Sequence, residues 1–195
     1  MTAVWIVVAV LAGIALYAAY RFNRLIRLRT RTQEAWSEID VELKRRHDLI
    51  PNLVETVKGY AAHERSVFED VTQARANAVS VAQSGNPAAM AGAEDALTGS
   101  LGKLYAVAEN YPQLKAAELF LNLQEQLTTT EDKVEFARRF YNGNVRDFNT
   151  ALQTFPTNLY ARMLGFAPFG FFQAAESDRD VPDVQFTAAQ QSRDA

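Results

Sequence analysis

The chain has 195 residues, 48% hydrophobic and 22% charged, with no cysteine, two histidines and a formal charge of −3. The missing cysteine excludes a disulfide framework, a cysteine zinc site, an iron–sulfur cluster and a thiol nucleophile. Nine glycines and six prolines are too few for the turns of an all-β sandwich, and the length suits one domain with a core of its own.

Residues 1–20 carry no charge, and only Thr2 and Gly13 fall outside the hydrophobic set. At 1.5 Å per residue, about 20 apolar residues in a helix cross the roughly 30 Å hydrocarbon layer. Ala3 and Leu11 lie within this run. Trp5 sits near one end and Tyr17 and Tyr20 near the other, where amphipathic rings meet the two interfaces. A cleaved signal peptide needs a positive segment before its apolar core, and none precedes this one, although Ala18-Ala19 is the small-residue pair that cleavage would use. Arg21, Arg24, Arg27, Arg29 and Arg31 follow the run instead, with no acidic residue before Glu34. That arginine excess marks a cytoplasmic flank. The expectation is an uncleaved single-pass anchor, with a short N-terminus outside and the body in the cytoplasm. The five arginines are candidate contacts for anionic lipid headgroups, at about 1 kcal/mol per charge near the surface, beside their plainer role as a topology signal. No nucleic-acid partner is expected, because no glycine–aromatic motif accompanies them and the rest of the chain is acidic.

Leu25, Leu28, Thr32, Ala35, Ile39, Leu43, Arg46, Ile50, Leu53 and Val57 step by three or four and form one helical stripe. Pro51 falls inside it and deprives the His47 carbonyl of its helical donor. The stripe stays in phase, so one kinked helix is predicted, stopping at Gly59 in a left-handed cap. A second helix is predicted over residues 61–83, with Phe68, Val71, Ala74, Ala78 and Val81 inward. Ser84-Gly85-Asn86-Pro87 then supplies a C-cap, an N-cap and a first-turn proline. A third helix runs to about Asn110 on Met90, Ala93, Leu97, Leu101, Leu104, Ala108 and Tyr111. A fourth is predicted from Tyr111-Pro112, about forty residues long. Its inner face is Leu114, Ala117, Leu121, Leu127, Val134, Ala137, Tyr141, Val145, Phe148, Leu152 and Phe155, with a bend at Asn142-Gly143-Asn144.

The fold class predicted is therefore all-α: a single N-terminal transmembrane helix followed by an antiparallel up-and-down four-helix bundle. The chain divides into an anchor (1–20), a basic juxtamembrane collar (21–31), the bundle (32–155), a Phe-rich segment (156–176) and a polar tail (177–195) expected to be mobile. Residues 181–186 carry a weak strand pattern. Helix parity returns the end of the fourth helix to the bilayer. Phe166, Phe169, Phe171 and Phe172 are then candidates for an interface with the membrane or an embedded partner, or else rings that cap the open end of the bundle.

Three stretches identify a family: TQEAWSEIDVELKRRHDLIPNLVETVKGYAAHE (32–64), ENYPQLKAAELFLNLQEQL (109–127) and FYNGNVRDFNTALQTFPTNL (140–159). Together they resemble the LemA family of bacterial membrane proteins over nearly the whole chain. The resemblance implies one N-terminal span in the bacterial inner membrane with its tip outside, and a cytoplasmic, bromodomain-like four-helix bundle. It carries over no catalytic or binding residue.

The residues themselves present no catalytic constellation, and no metal site or cofactor is expected. His63, Glu64 and Glu69 do not share a helix face, and a zinc-protease helix needs two histidines four apart. His47 beside the proline reads as structural. Arg46, charged on an apolar stripe, calls for snorkelling or a buried carboxylate, with Asp147 and Glu135 as candidates. Asn142, Asn144, Arg146 and Asn149 form a polar patch suited to bonds between helices or to a ligand pocket. Three functions are carried forward: a membrane-anchored scaffold that recruits an unidentified protein partner, a small-molecule sensor or enzyme with a pocket in the bundle, and a lipid-organising protein. Oligomerisation is open to all three.

Overall fold

The computed structural model describes residues 1–173. The polar tail and the strand pattern at 181–186 lie outside the described residues. Helix α1 spans Thr2–Lys58, α2 Arg65–Ala82, α3 Pro87–Glu109, α4 Pro112–Lys115, α5 Glu118–Gln153 and α6 Thr157–Tyr160. The described chain is all-α, with one long apolar helix leading into an antiparallel bundle of α1, α2, α3 and α5.

Anchor and bundle share α1, which runs 57 residues, about 85 Å, without a break. Pro51 lies inside it, as the unbroken stripe predicts. The helix does end next to Gly59, but that residue is right-handed (φ −59°, ψ −24°), so the left-handed cap expected there does not form. Its N–H bonds to the Glu55 carbonyl as one more helical residue. Left-handed backbone is found at Gly165 (φ 75°) and, between α2 and α3, at Gly85 (φ 65°). The Asn86 side chain follows it and accepts from the Ala88 and Ala89 N–H groups, with Pro87 opening α3.

The single forty-residue fourth helix is corrected. It is broken by Ala117, whose extended backbone (ψ 120°) separates the one-turn α4 from α5. The break buries Leu114 and resets the register, so Phe120 and Leu123 face inward and Leu121 faces out. Phe155, also expected inside, is exposed because α5 ends at Gln153. Helix α5 continues through Asn142-Gly143-Asn144.

Helix lengths decide where the core changes character. Helices α2 and α3 are 18 and 23 residues long, against 36 for α5. Both therefore run out before α5 reaches the anchor. In the distal part, Leu53, Val57, Val71, Leu97, Leu104 and Leu127 fill a four-helix core. Toward the anchor the ends of α2 and α3 still contribute Val81, Ala82, Met90 and Ala91 to a middle cluster, where Phe172 joins Ala35, Ile39, Tyr141 and Val145. Beyond it only α1 and α5 remain, and the Phe-rich segment occupies the vacant side, with Phe166 joining Leu25, Phe148 and Ala161.

Candidate functional site

Arg46 and His47 form a buried node on α1. Arg46 Nη1 donates to Glu94 Oε2 at 3.0 Å, and its Nη2 reaches Thr98 Oγ1 at 2.7 Å and Glu131 Oε2 at 2.8 Å. The second Glu94 oxygen lies 2.7 Å from His47 Nε2. The His47 carbonyl, freed by Pro51 four residues on, accepts from Arg75 Nε at 2.6 Å. All four bundle helices are thus tied at one level. The partners expected for Arg46, Asp147 and Glu135, are both on the exposed surface of α5, and Glu94 takes the role. Glu94 carries the same signal as Arg46: a charge on an apolar stripe, four residues after Met90 and three before Leu97. Nearby, burial raises the Tyr105 phenol, with Arg46 opposing and Glu131 adding to the shift.

Asn142 and Asn149 of α5 turn to the segment after the helix, not to another helix. They clamp the backbone of the Phe-rich segment. Asn149 Nδ2 donates to the Phe169 carbonyl at 2.9 Å, and its Oδ1 accepts from the Phe169 N–H at 3.0 Å. Asn142 makes the same pair with Phe172, at 2.8 and 2.9 Å. Between them the Tyr141 hydroxyl donates to the Gly170 carbonyl at 2.8 Å. Seven helical residues rise about 10.5 Å, and three extended residues span about 10 Å, so the two spacings match. Asn144 turns instead to its own helix, donating to the Phe140 carbonyl.

Two roles were open to the four phenylalanines, an interface or a cap on the open end of the bundle. Phe166 and Phe172 are buried, and Phe169 and Phe171 are half-buried. These rings close the core where α2 and α3 end. In the segment after α5, Phe155, Leu159, Met163 and Leu164 are exposed.

The anchor residues Ala3, Trp5, Leu11, Tyr17 and Tyr20 are all exposed along α1, with no protein packed on them. Arg24, Arg27, Arg29 and Arg31 are also exposed. Arg21 shares the inward face of Leu25 and Leu28 and donates to Thr157 Oγ1 at 3.0 Å. The Phe22 ring meets Phe166 edge-on, with centroids 5.9 Å apart. The basic segment is thereby packed against the end of the bundle.

A groove of about 930 Å³ runs between α1 and α5 on the outer side of the bundle. Glu34, Glu38, Glu42 and Asp132 rim it, against one cation, Lys133. Lys133 Nζ stays 4.0 Å from Glu42 Oε1, and the buried Glu42 Oε2 has no hydrogen-bond partner. Val41 and Phe136 form its apolar floor, both about two-thirds exposed, and Phe140 stacks on Phe136 one turn on. The sequence reading missed this groove. Its signal was Val41 and Phe136, large apolar residues off the inward stripes.

His63 is exposed, and among the described residues no group of three or more His, Asp and Glu is placed to hold a metal.

The family model described as the LemA family matches residues 35–186. Magnetosome protein MamQ 2 of Paramagnetospirillum magneticum is 26% identical over 192 residues, covering 86% of this chain and 71% of that protein. Protein LemA of Metamycoplasma hominis is 29% identical over 160 residues, covering 82% of this chain and 72% of its own. Magnetosome protein MamQ of Magnetospirillum gryphiswaldense is 24% identical over 175 residues, covering 78% and 64%. The match over most of the chain is decisive, and the chain belongs to the LemA family.

Proposed function

We propose that this protein is a scaffold of the bacterial inner membrane that holds a rigid helical bundle at the cytoplasmic face and offers the α1–α5 groove to a partner protein. One observation carries the reading: the apolar anchor and the first bundle helix are a single unbroken helix. A continuous helix transmits orientation, so the groove is held at a fixed height and heading relative to the bilayer. The arginine-rich flank supports the cytoplasmic side. The acidic rim and exposed aromatic floor suit a basic amphipathic helix, which would lay its apolar face on Val41 and Phe136 and its cations on the carboxylates.

The absence of native cysteine makes the topology directly testable. Single cysteines replace Thr2 or Ser84, and intact cells are treated with an impermeant thiol reagent. Labelling at position 2 alone is expected, and labelling at position 84 would overturn the cytoplasmic placement. For the groove, a photo-crosslinker at Phe136 is compared with one at Gln73 on α2. Adducts mapping to a Lys/Arg-rich helical peptide, present only at 136 and lost on Glu38→Lys, support the reading. Adducts to the protein itself, or none specific to 136, overturn it.

A further inference from the structure

A second cleft, of about 390 Å³, lies between α1 and α5 at the anchor end of the bundle. Arg21 and Arg24 enter it from α1, Arg146 from α5, with Thr150 and Thr154 behind them. Asp147 is the one acid in its wall. Arg21 is held by Thr157. Among the described residues, Arg24 and Arg146 have no ion-pair partner. Three guanidiniums from two helices therefore converge with only one carboxylate to offset them.

The height of this cleft follows from α1. The uncharged run ends at Tyr20, and twenty helical residues rise about 30 Å, the thickness of the hydrocarbon layer. Arg21 then stands at the boundary, and the cleft opens where headgroup phosphates lie. Beside it, the segment after α5 is fixed at the same height by the Arg21–Thr157 bond and the Phe22–Phe166 contact. Its large apolar side chains are among the most exposed of the bundle end: Met163 at 87%, Phe155 at 72% and Leu159 at 66%. Such exposure is costly in water and favourable in the interfacial layer.

We propose that this end of the bundle is a binding surface for anionic phospholipid: the Arg21–Arg24–Arg146 cleft takes the headgroup phosphate, and the Phe155–Leu164 segment inserts beside it as an apolar foot. The proposal rests on α1 crossing the membrane, not on the scaffold role. Arg24 differs from Arg29 and Arg31 in sharing the cleft with an arginine of another helix, so two charges converge on one phosphate with little loss of freedom.

The test uses the full chain in nanodiscs of phosphatidylcholine, with or without phosphatidylglycerol, and compares Arg24→Gln/Arg146→Gln with Arg29→Gln/Arg31→Gln. Both pairs remove the same charge from exposed positions. Co-elution of every variant with the disc confirms that the anchor holds. Native mass spectrometry reads phosphatidylglycerol retention, and an environment-sensitive fluorophore on a cysteine replacing Met163 reads insertion. The expected result is at least a fivefold loss of phosphatidylglycerol preference in the cleft pair, less than twofold in the control pair, and quenching of the fluorophore by lipid-borne nitroxide. Glycerol phosphate in solution is expected not to compete at millimolar concentration, which separates a lipid site from a free-phosphate site. Equal losses in both pairs, competition by soluble phosphate, or a fluorophore reached only from water each overturn the proposal.

Discussion

Asn142 satisfies both backbone polar groups of Phe172 with one side chain, donating to its carbonyl and accepting from its N–H. An extended segment that packs beside helices has no neighbouring strand to pair with, and its buried N–H and C=O groups must find other partners. The amide offers a donor and an acceptor side by side without carrying a charge. Asn149 repeats the device at Phe169.

Asn142→Asp tests the need for both halves of the pair. A carboxylate still accepts from the Phe172 N–H but cannot donate to the carbonyl, and it places a charge at a half-buried site. A loss of about 1–3 kcal/mol is expected. Amide hydrogen exchange should rise at Phe169–Phe172 and stay unchanged in α2 and α3. Uniform exchange across the bundle would mean that the clamp acts on global stability alone.

The Pro51–Arg75 relationship predicts a compensation. Arg75 fills the place of the donor that Pro51 lacks, at the His47 carbonyl. Arg75→Met is therefore expected to cost about 1–3 kcal/mol in the native chain. In a Pro51→Ala background the restored N–H can bond to the same carbonyl, and the cost of Arg75→Met should fall by half or more. Chemical denaturation of the four variants gives the coupling, and strict additivity would refute it.

Arg46 and Glu94 are both about 95% buried, so removing Arg46 leaves the Glu94 carboxylate buried with His47 as its remaining side-chain partner at the node. Arg46→Met should destabilise the bundle by about 3–5 kcal/mol. Glu94→Leu added to it should recover part of that loss. An unchanged or raised melting temperature in Arg46→Met would show that the pair does not hold the fold.

Tyr141 predicts an alkaline limit. Burial pushes its phenol up to about 12 from 10.0. The folded state holds the protonated form more tightly than the unfolded state does, so this contribution is complete below pH 10 and is lost as pH rises through about 12. Denaturation midpoints should fall across that window. Tyr141→Phe cannot ionise and should fall less, after starting about 1 kcal/mol lower for the lost bond to Gly170. Parallel pH profiles for the two proteins would refute the assignment.

Much of this architecture was legible in the sequence because helices are local. The uncharged twenty residues, the in-phase stripe across Pro51 and the Gly85-Asn86-Pro87 signal each specify structure within a few turns. Arg46 on the apolar stripe of α1 flagged the buried node. The identity of the partner was not legible, since Glu94 lies 48 residues from Arg46 and only helix packing brings them together. The break at Ala117 escaped because alanine favours helix. The backbone leaves it there so that Leu114 and Phe120 can both be buried.

What the sequence determined alone is the set of faces: which side of each helix is apolar, where the anchor ends and where the charge changes sign. Tertiary structure decided which faces meet. Helices α2 and α3 fall short of α5, which leaves a strip of core open near the anchor, and the Phe-rich segment fills it in preference to remaining exposed. Burial of those rings followed from a vacancy that no local pattern records. The same vacancy brought Thr157 to Arg21 and set the apolar foot beside the arginines.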